Sequence, residues 1–307
     1  MIGVLEGFFV IAVIIFVGFG LGRAGILGPN AQQVLSRLVF FVATPALLFE
    51  TLQTSAVEQV FNANLLVQMS SAAITLLLYL GLARWWWRPA KPEWLIGGMC
   101  TSYANGGNLG IPLAVYIFGS ASYVAPIMLF QIALYGPIMA AILDVATGTR
   151  RTGWQKIVRP VTNPMLIASV IGIILSVAHI TLPDLVLQPI GLLADVAVPG
   201  ALLAFGISLS GMSSLRGSDG RHDVTVITVM KLVVQPLIAY GIAAGLLGLS
   251  GMQLYASVAI AALPTAQNLL TYATRYERGR FIARNSILWT TVLDIPVLLV
   301  ITALLAP

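Results

Sequence analysis

Ten stretches of mostly apolar residues, each close to the length of a bilayer-spanning helix, dominate this sequence. They fall at 1–22, 31–52, 62–86, 94–118, 123–147, 161–180, 185–211, 223–248, 252–275 and 284–306. A helix that crosses the hydrocarbon needs about 20 such residues. Of the 307 residues, 58% are hydrophobic and 9% charged, where an ordinary water-soluble domain carries roughly 25% charged. No water-soluble fold of this length hides so much apolar surface, so the chain is predicted to be an all-α polytopic membrane protein with ten transmembrane helices. The first stretch has Glu6 and no basic flank where a signal peptide would carry Lys or Arg, and it is read as a permanent span.

The few basic residues test that count, because connections on the cytoplasmic side are enriched in Lys and Arg. Connection 1–2 holds Arg23 and Arg37; connection 3–4 holds Arg84, Arg88 and Lys91; connection 5–6 holds Arg150, Arg151, Lys156 and Arg159. Arg216 and Arg221 follow in connection 7–8, and Arg275, Arg278, Arg280 and Arg284 in connection 9–10. Of the sixteen Lys and Arg, fifteen lie in these connections or in the span ends that flank them, and only Lys231 lies deep within a span. The odd connections are therefore predicted to be cytoplasmic and both termini external, which in a bacterial inner membrane means periplasmic. The net charge of +5 orients the chain and does not point to nucleic acid. Trp85, Trp86 and Trp87, flanked by Arg84 and Arg88, are expected to anchor span 3 at the interface.

Five spans precede connection 5–6 and five follow it, so a duplicated unit would stand in opposite orientations in its two copies. The sequence supports this division into 1–150 and 151–307. Val42-Ala43-Thr44-Pro45 in span 2 is echoed by Val196-Ala197-Val198-Pro199 in span 7; Pro112 in span 4 pairs with Pro264 in span 9, and Pro137 in span 5 with Pro296 in span 10.

Spans 4 and 9 are the least suited to unbroken helix. Gly106, Gly107, Gly110 and Pro112 crowd into the first, and Leu263-Pro264-Thr265-Ala266-Gln267-Asn268 interrupts the second; a Gly costs about 1 and a Pro about 3 kcal/mol in a helix interior. Unwound backbone at that depth survives only inside protein or along an aqueous cavity, and two breaks at matching places in inverted halves point to a transporter's binding site. Freed amide N–H groups and half-helix N-termini suit an anion. Asn105, Asn108, Gln267 and Asn268 can add side-chain donors for a carboxylate, so with Gly110, Pro112 and Pro264 they make up the expected substrate site.

At these residues the chain resembles the auxin efflux carrier family, whose bacterial members include malonate and other carboxylate carriers. Asn105, Gly110, Ile111, Pro112 and Leu113 match its Asn-x4-Gly-Ile-Pro-Leu pattern, and Ala262-Leu263-Pro264 followed by Thr265-Ala266-Gln267-Asn268 looks like the second-half motif of bacterial members. Pro45, Pro199 and a short connection 5–6 extend the likeness over essentially the whole chain. The resemblance implies a ten-helix fold similar to sodium/proton antiporters and bile acid symporters, with a scaffold domain and a crossover domain. Leu269 stands where plant members have a second Pro, which weakens transfer of auxin itself as substrate.

Ionisable residues within spans cost about 2.5–3.5 kcal/mol each on insertion scales, so each demands a reason. Asp294, beside Ile295-Pro296, is the first candidate for coupling to H⁺ or Na⁺, and Asp195, four residues before Pro199, is the second. Lys231 either balances one of them or snorkels to the cytoplasmic face. Asp144 is expected at a solvated cytoplasmic end. Gln131 either contributes to a polar path or makes one helix–helix hydrogen bond.

Rival functions lack their motifs. No His-Glu-x-x-His or Gly-x-Ser-x-Gly suggests an enzyme, no Gly-Lys pair permits a P-loop, and no Cys/His/carboxylate cluster suggests a metal. The expected function is secondary active transport of a small organic anion by alternating access, with no cofactor beyond a coupling ion. An anion channel, or an efflux carrier without cation coupling, is the alternative. The expected partners are that anion and the lipid bilayer, with a homodimer left open.

Overall fold

A computed structural model describes residues 2–54, 63–148, 163–211 and 221–307. Arg150, Arg151, Lys156, Arg159 and Arg216, which enter the charge argument above, lie outside those residues. Among the described residues the chain is all-α: α1 Ile2–Ala24, α2 Ala31–Thr54, α3 Ala63–Trp86, α4 Lys91–Ser102, α5 Gly106–Phe118, α6 Ala125–Ala146, α7 Pro164–Val177, α8 Asp184–Ser210, α9 Arg221–Leu246, α10 Gly251–Ala262, α11 Asn268–Arg275 and α12 Arg280–Leu305. Six of these, α2, α3, α6, α8, α9 and α12, are long and apolar enough to cross a membrane.

The burial pattern of α12 is the reverse of a water-soluble helix. Its polar residues Ser286, Thr290, Thr291 and Asp294 are buried, while Val292, Ile295, Val300 and Leu304 are exposed. That orientation is stable only where the surroundings are hydrocarbon.

Prolines shape these helices in a regular way. Val39–Ala43, Gly106–Gly110, Gln131–Tyr135 and Met230–Val234 are widened, π-type turns, and each ends two residues before a proline: Pro45, Pro112, Pro137 and Pro236. A proline ring collides with the carbonyl four residues earlier and offers no N–H to it, and a widened turn moves that carbonyl aside. The suggested repeat mates behave differently. Pro199 follows a break in α8 at Asp195–Val196, Pro264 lies in extended chain, and Pro296 sits inside continuous α12.

By contacts the chain forms two compact units, each drawing on both halves of the sequence. The first comprises Met1–Asn62, Gly106–Ala133 and Ile157–Met212; the second comprises Ala63–Asn105, Leu134–Lys156 and Ser213–Pro307. In the first unit α1 and the second half of α8 approach almost backbone to backbone. A Cβ added at Gly206 would lie 2.1 Å from the Ile15 carbonyl oxygen and 2.8 Å from the Phe19 nitrogen, and one at Gly18 would lie 2.5 Å from the Leu203 carbonyl oxygen. Small residues that let helices close to this distance are the usual basis of packing in lipid, where no hydrophobic force drives helices together. Gly206→Ala is therefore expected to destabilise the unit by about 1–3 kcal/mol, read as earlier thermal unfolding in detergent. An unchanged melting curve would mean that α1 yields freely.

In the second unit α3 packs on α4, α9 and α10, and α12 packs on α9, α10 and α11. Tyr79 of α3 and Trp87 just beyond it both donate to Asp223 at the start of α9, the indole at 2.8 Å. Of the three tryptophans expected at the interface, Trp85 and Trp86 are exposed whereas Trp87 is turned inward. Asp144 departs from its expected solvated position: it is buried and accepts a hydrogen bond of 2.8 Å from the Tyr276 hydroxyl. The turn after α11 carries that tyrosine over the end of α6, which the sequence spacing does not reveal.

Candidate functional site

The second unit contains the place where the two interrupted helices meet. Helix α4 ends at Ser102 and α10 at Ala262, and the segments that follow are extended and pair antiparallel at Ala104 and Thr265. The Asn105 amide donates to the Pro264 carbonyl at 2.9 Å, and the Ala266 amide donates to the Tyr103 carbonyl at 3.0 Å. Thr265 ties the crossing to its surroundings. Its hydroxyl donates to the Cys100 carbonyl at 2.7 Å, in the last turn of α4, and its amide donates to the Thr290 hydroxyl of α12 at 3.1 Å.

These bonds revise one sequence expectation. The amides of Asn105 and Ala266 are taken up by carbonyls of the crossing and that of Thr265 by the Thr290 hydroxyl, because backbone donors at this depth have no water to pair with and must find protein acceptors.

Asn105 and Pro264 are buried in the crossing, Gln267 is half-buried, and Asn268 is exposed at the start of α11. The Asn268 side chain lies beside the Tyr103 hydroxyl. Tyr103 packs against Tyr135 with the rings tilted and their centroids 5.4 Å apart, and the Tyr135 and Ser102 hydroxyls are 2.5 Å apart. This aromatic, hydroxyl-bearing wall was missed from sequence, where Tyr103 and Tyr135 look like ordinary apolar packing. Their only signal was proximity to the breaks.

Asn108, Gly110, Pro112 and Gln131 belong to the first unit. Asn108 is half-buried and Gly110 and Pro112 are buried, in the widened turn and first residues of helix that open α5. Gln131, also buried, begins the widened turn of α6. Asp195, the second coupling candidate, is exposed at the break in α8.

Lys231 and Asp294 lie together in the second unit, and both are fully buried. The Lys231 ammonium donates to the Gln235 side-chain oxygen at 2.5 Å and to the Ala261 carbonyl at 2.9 Å. Ala261 is in the last turn of interrupted α10, so the cation caps the carbonyl end of a broken helix, where the helix dipole favours it. Lys231 therefore does not snorkel. It interacts electrostatically with Asp294, whose two carboxylate oxygens receive no hydrogen bond among the described residues. Thr290 and Thr291 on α12 and Ser257 on α10 continue this buried polar seam, and Gln68 of α3 closes it by donating to the Ser257 carbonyl at 2.8 Å.

Paired backbone breaks and buried ionisable groups within membrane-spanning helices mark the path of a polar solute, and this chain is a multi-pass membrane transport protein. It belongs to the auxin efflux carrier family: residues 4–156 and 147–302 match the family model described as "Membrane transport protein". A Rhizobium meliloti (strain 1021) protein named "Putative malonate transporter" is 25% identical over 292 residues, 92% of this chain and 89% of that protein. Two archaeal proteins, each named as an uncharacterized transporter, are similarly related. That of Methanothermobacter thermautotrophicus is 26% identical over 93% of both chains, and that of Methanocaldococcus jannaschii is 23% identical over 94% of both.

Proposed function

We propose that this protein is a secondary active transporter of a small organic anion, a mono- or dicarboxylate, working by alternating access through ten spans arranged as two inverted five-helix repeats. The observation that carries the reading is the crossing itself: extended segments from two interrupted helices, bonded to one another at Asn105–Pro264 and Tyr103–Ala266, beside a fully buried Lys231 and Asp294. Such a crossing offers half-helix N-termini and amide side chains to an anion, and the nearby carboxylate offers a place for a coupling cation. Malonate is the first substrate to try, because one relative carries that name. Under this reading both termini are periplasmic, in a bacterial inner membrane.

Counterflow in proteoliposomes preloaded with members of a mono- and dicarboxylate panel tests the proposal. Saturable counterflow with at least one of them is expected. A conductive flux that does not saturate would make the protein a channel, and no flux with any carboxylate would remove the substrate class.

Asn105→Ala and Asn268→Ala are each expected to weaken substrate binding by about 1–3 kcal/mol, the consequence of leaving a polar group at the site unmatched. Near-normal affinity in both variants at equal expression would leave these amides a purely structural role.

A further inference from the structure

We propose that the end of α3 carries a binding site for one anionic phospholipid, of the phosphatidylglycerol type, in the leaflet that faces Arg84 and Arg88. A cleft of about 570 Å³ opens there between α3 and α4, with Arg84, Arg88 and Trp94 at one end and Leu77, Leu80 and Gly81 at the other.

The cleft has the polarity profile of a lipid. Leu77, Gly81 and Arg84 recur at helical spacing, so one face of α3 runs from apolar to cationic, and Arg88 follows two residues beyond the helix end on the same cleft. Leu77 is 65% exposed and offers its side chain to an acyl chain. At Gly81 an added Cβ would meet nothing within 4 Å, so the groove owes its depth to a missing side chain. Trp94 forms a fixed wall, because its indole N–H donates to the Leu80 carbonyl at 2.8 Å.

The charges at the mouth are available to an outside anion. Among the described residues neither Arg84 nor Arg88 has an ion-pair partner, and Asp223 is already engaged by Tyr79 and Trp87. Arg88 also holds an unusual backbone, with φ of 48° and its amide donating to the Ala83 carbonyl at 2.8 Å. A glycine would adopt that left-handed turn without strain; the arginine found there instead puts a guanidinium at the mouth of the cleft. Two guanidinium groups above an apolar groove match a phosphodiester above an acyl chain in both charge and length.

The test is native mass spectrometry of the full-length protein in detergent, titrated with phosphatidylglycerol and, separately, with phosphatidylcholine of the same acyl chains. Wild type is expected to retain the anionic lipid at about tenfold lower concentration. Arg84→Gln with Arg88→Gln should bring the two lipids level, whereas Lys91→Gln, an exposed cation outside the cleft, should leave the preference intact. Gly81→Leu fills the groove without touching the charges and should also remove retention; its open surroundings make misfolding no excuse. Equal retention of both lipids by wild type, an unchanged preference in the double arginine variant or in Gly81→Leu, or an equal loss in Lys91→Gln would each overturn the site.

Discussion

Asp294→Asn is expected to abolish gradient-driven accumulation of substrate while leaving exchange intact. An anion entering against an inside-negative potential works against about 2.3 kcal/mol per charge per 100 mV, which corresponds to roughly a 50-fold concentration ratio that a co-transported cation must supply. Under the proposed coupling, Asp294 is the group that takes that cation. It is fully buried, and neither oxygen receives a hydrogen bond among the described residues; beside the Lys231 ammonium it therefore keeps both oxygens for a proton or a metal cation. Asparagine keeps the shape and removes the charge. Proteoliposomes under imposed pH or Na⁺ gradients should show accumulation falling to simple equilibration, with counterflow at unchanged affinity. An Asn variant that still concentrates substrate, with the same dependence on pH and Na⁺, would move attention to Asp195.

The breaks in spans 4 and 9 were legible in the sequence because Gly and Pro act locally. Gly106 to Pro112 and Pro264 disfavour a continuous helix, and the structure interrupts the chain at Tyr103–Asn105, just before the first group, and around Pro264. How the breaks satisfy one another was not legible. The pairing of Tyr103–Asn105 with Pro264–Ala266 joins residues far apart in sequence, and no periodicity encodes which amide meets which carbonyl. Lys231 and Asp294 stood out as the charges of spans 8 and 10, yet their proximity depends on how α9 and α12 pack, so balancing and snorkelling remained open until both appeared buried together. Asp144 went the other way. A carboxylate three residues before Thr147 and close to Arg150 looks solvated, and the Tyr276 hydroxyl, 132 positions away, is part of what makes burial tolerable. Interactions within a helix turn were readable from the sequence, and those between helices were not.

Lys231→Met is expected to destabilise the second unit by about 3–5 kcal/mol, the usual consequence of stripping the counter-charge from a buried ion, and Asp294→Asn in the same chain should restore much of the loss. Methionine is chosen because its unbranched chain fills the space of the lysine stem. The single change removes the ammonium that faces Asp294 and leaves that carboxylate with neither a cation nor a hydrogen bond among the described residues. The double variant removes both charges and so the electrostatic part of the penalty. A remainder should persist, because the Ala261 carbonyl and the Gln235 side-chain oxygen lose the donor they share, and an acceptor left unmatched inside protein costs about 1–3 kcal/mol. Thermal and denaturant unfolding of all four forms in one detergent closes the cycle, with an expected coupling of about 2 kcal/mol, inside the range for groups in direct communication. If Lys231→Met melts like wild type, or the double variant is no more stable than the lysine variant alone, the two charges do not act as a pair, and Asp294 must be balanced by another group.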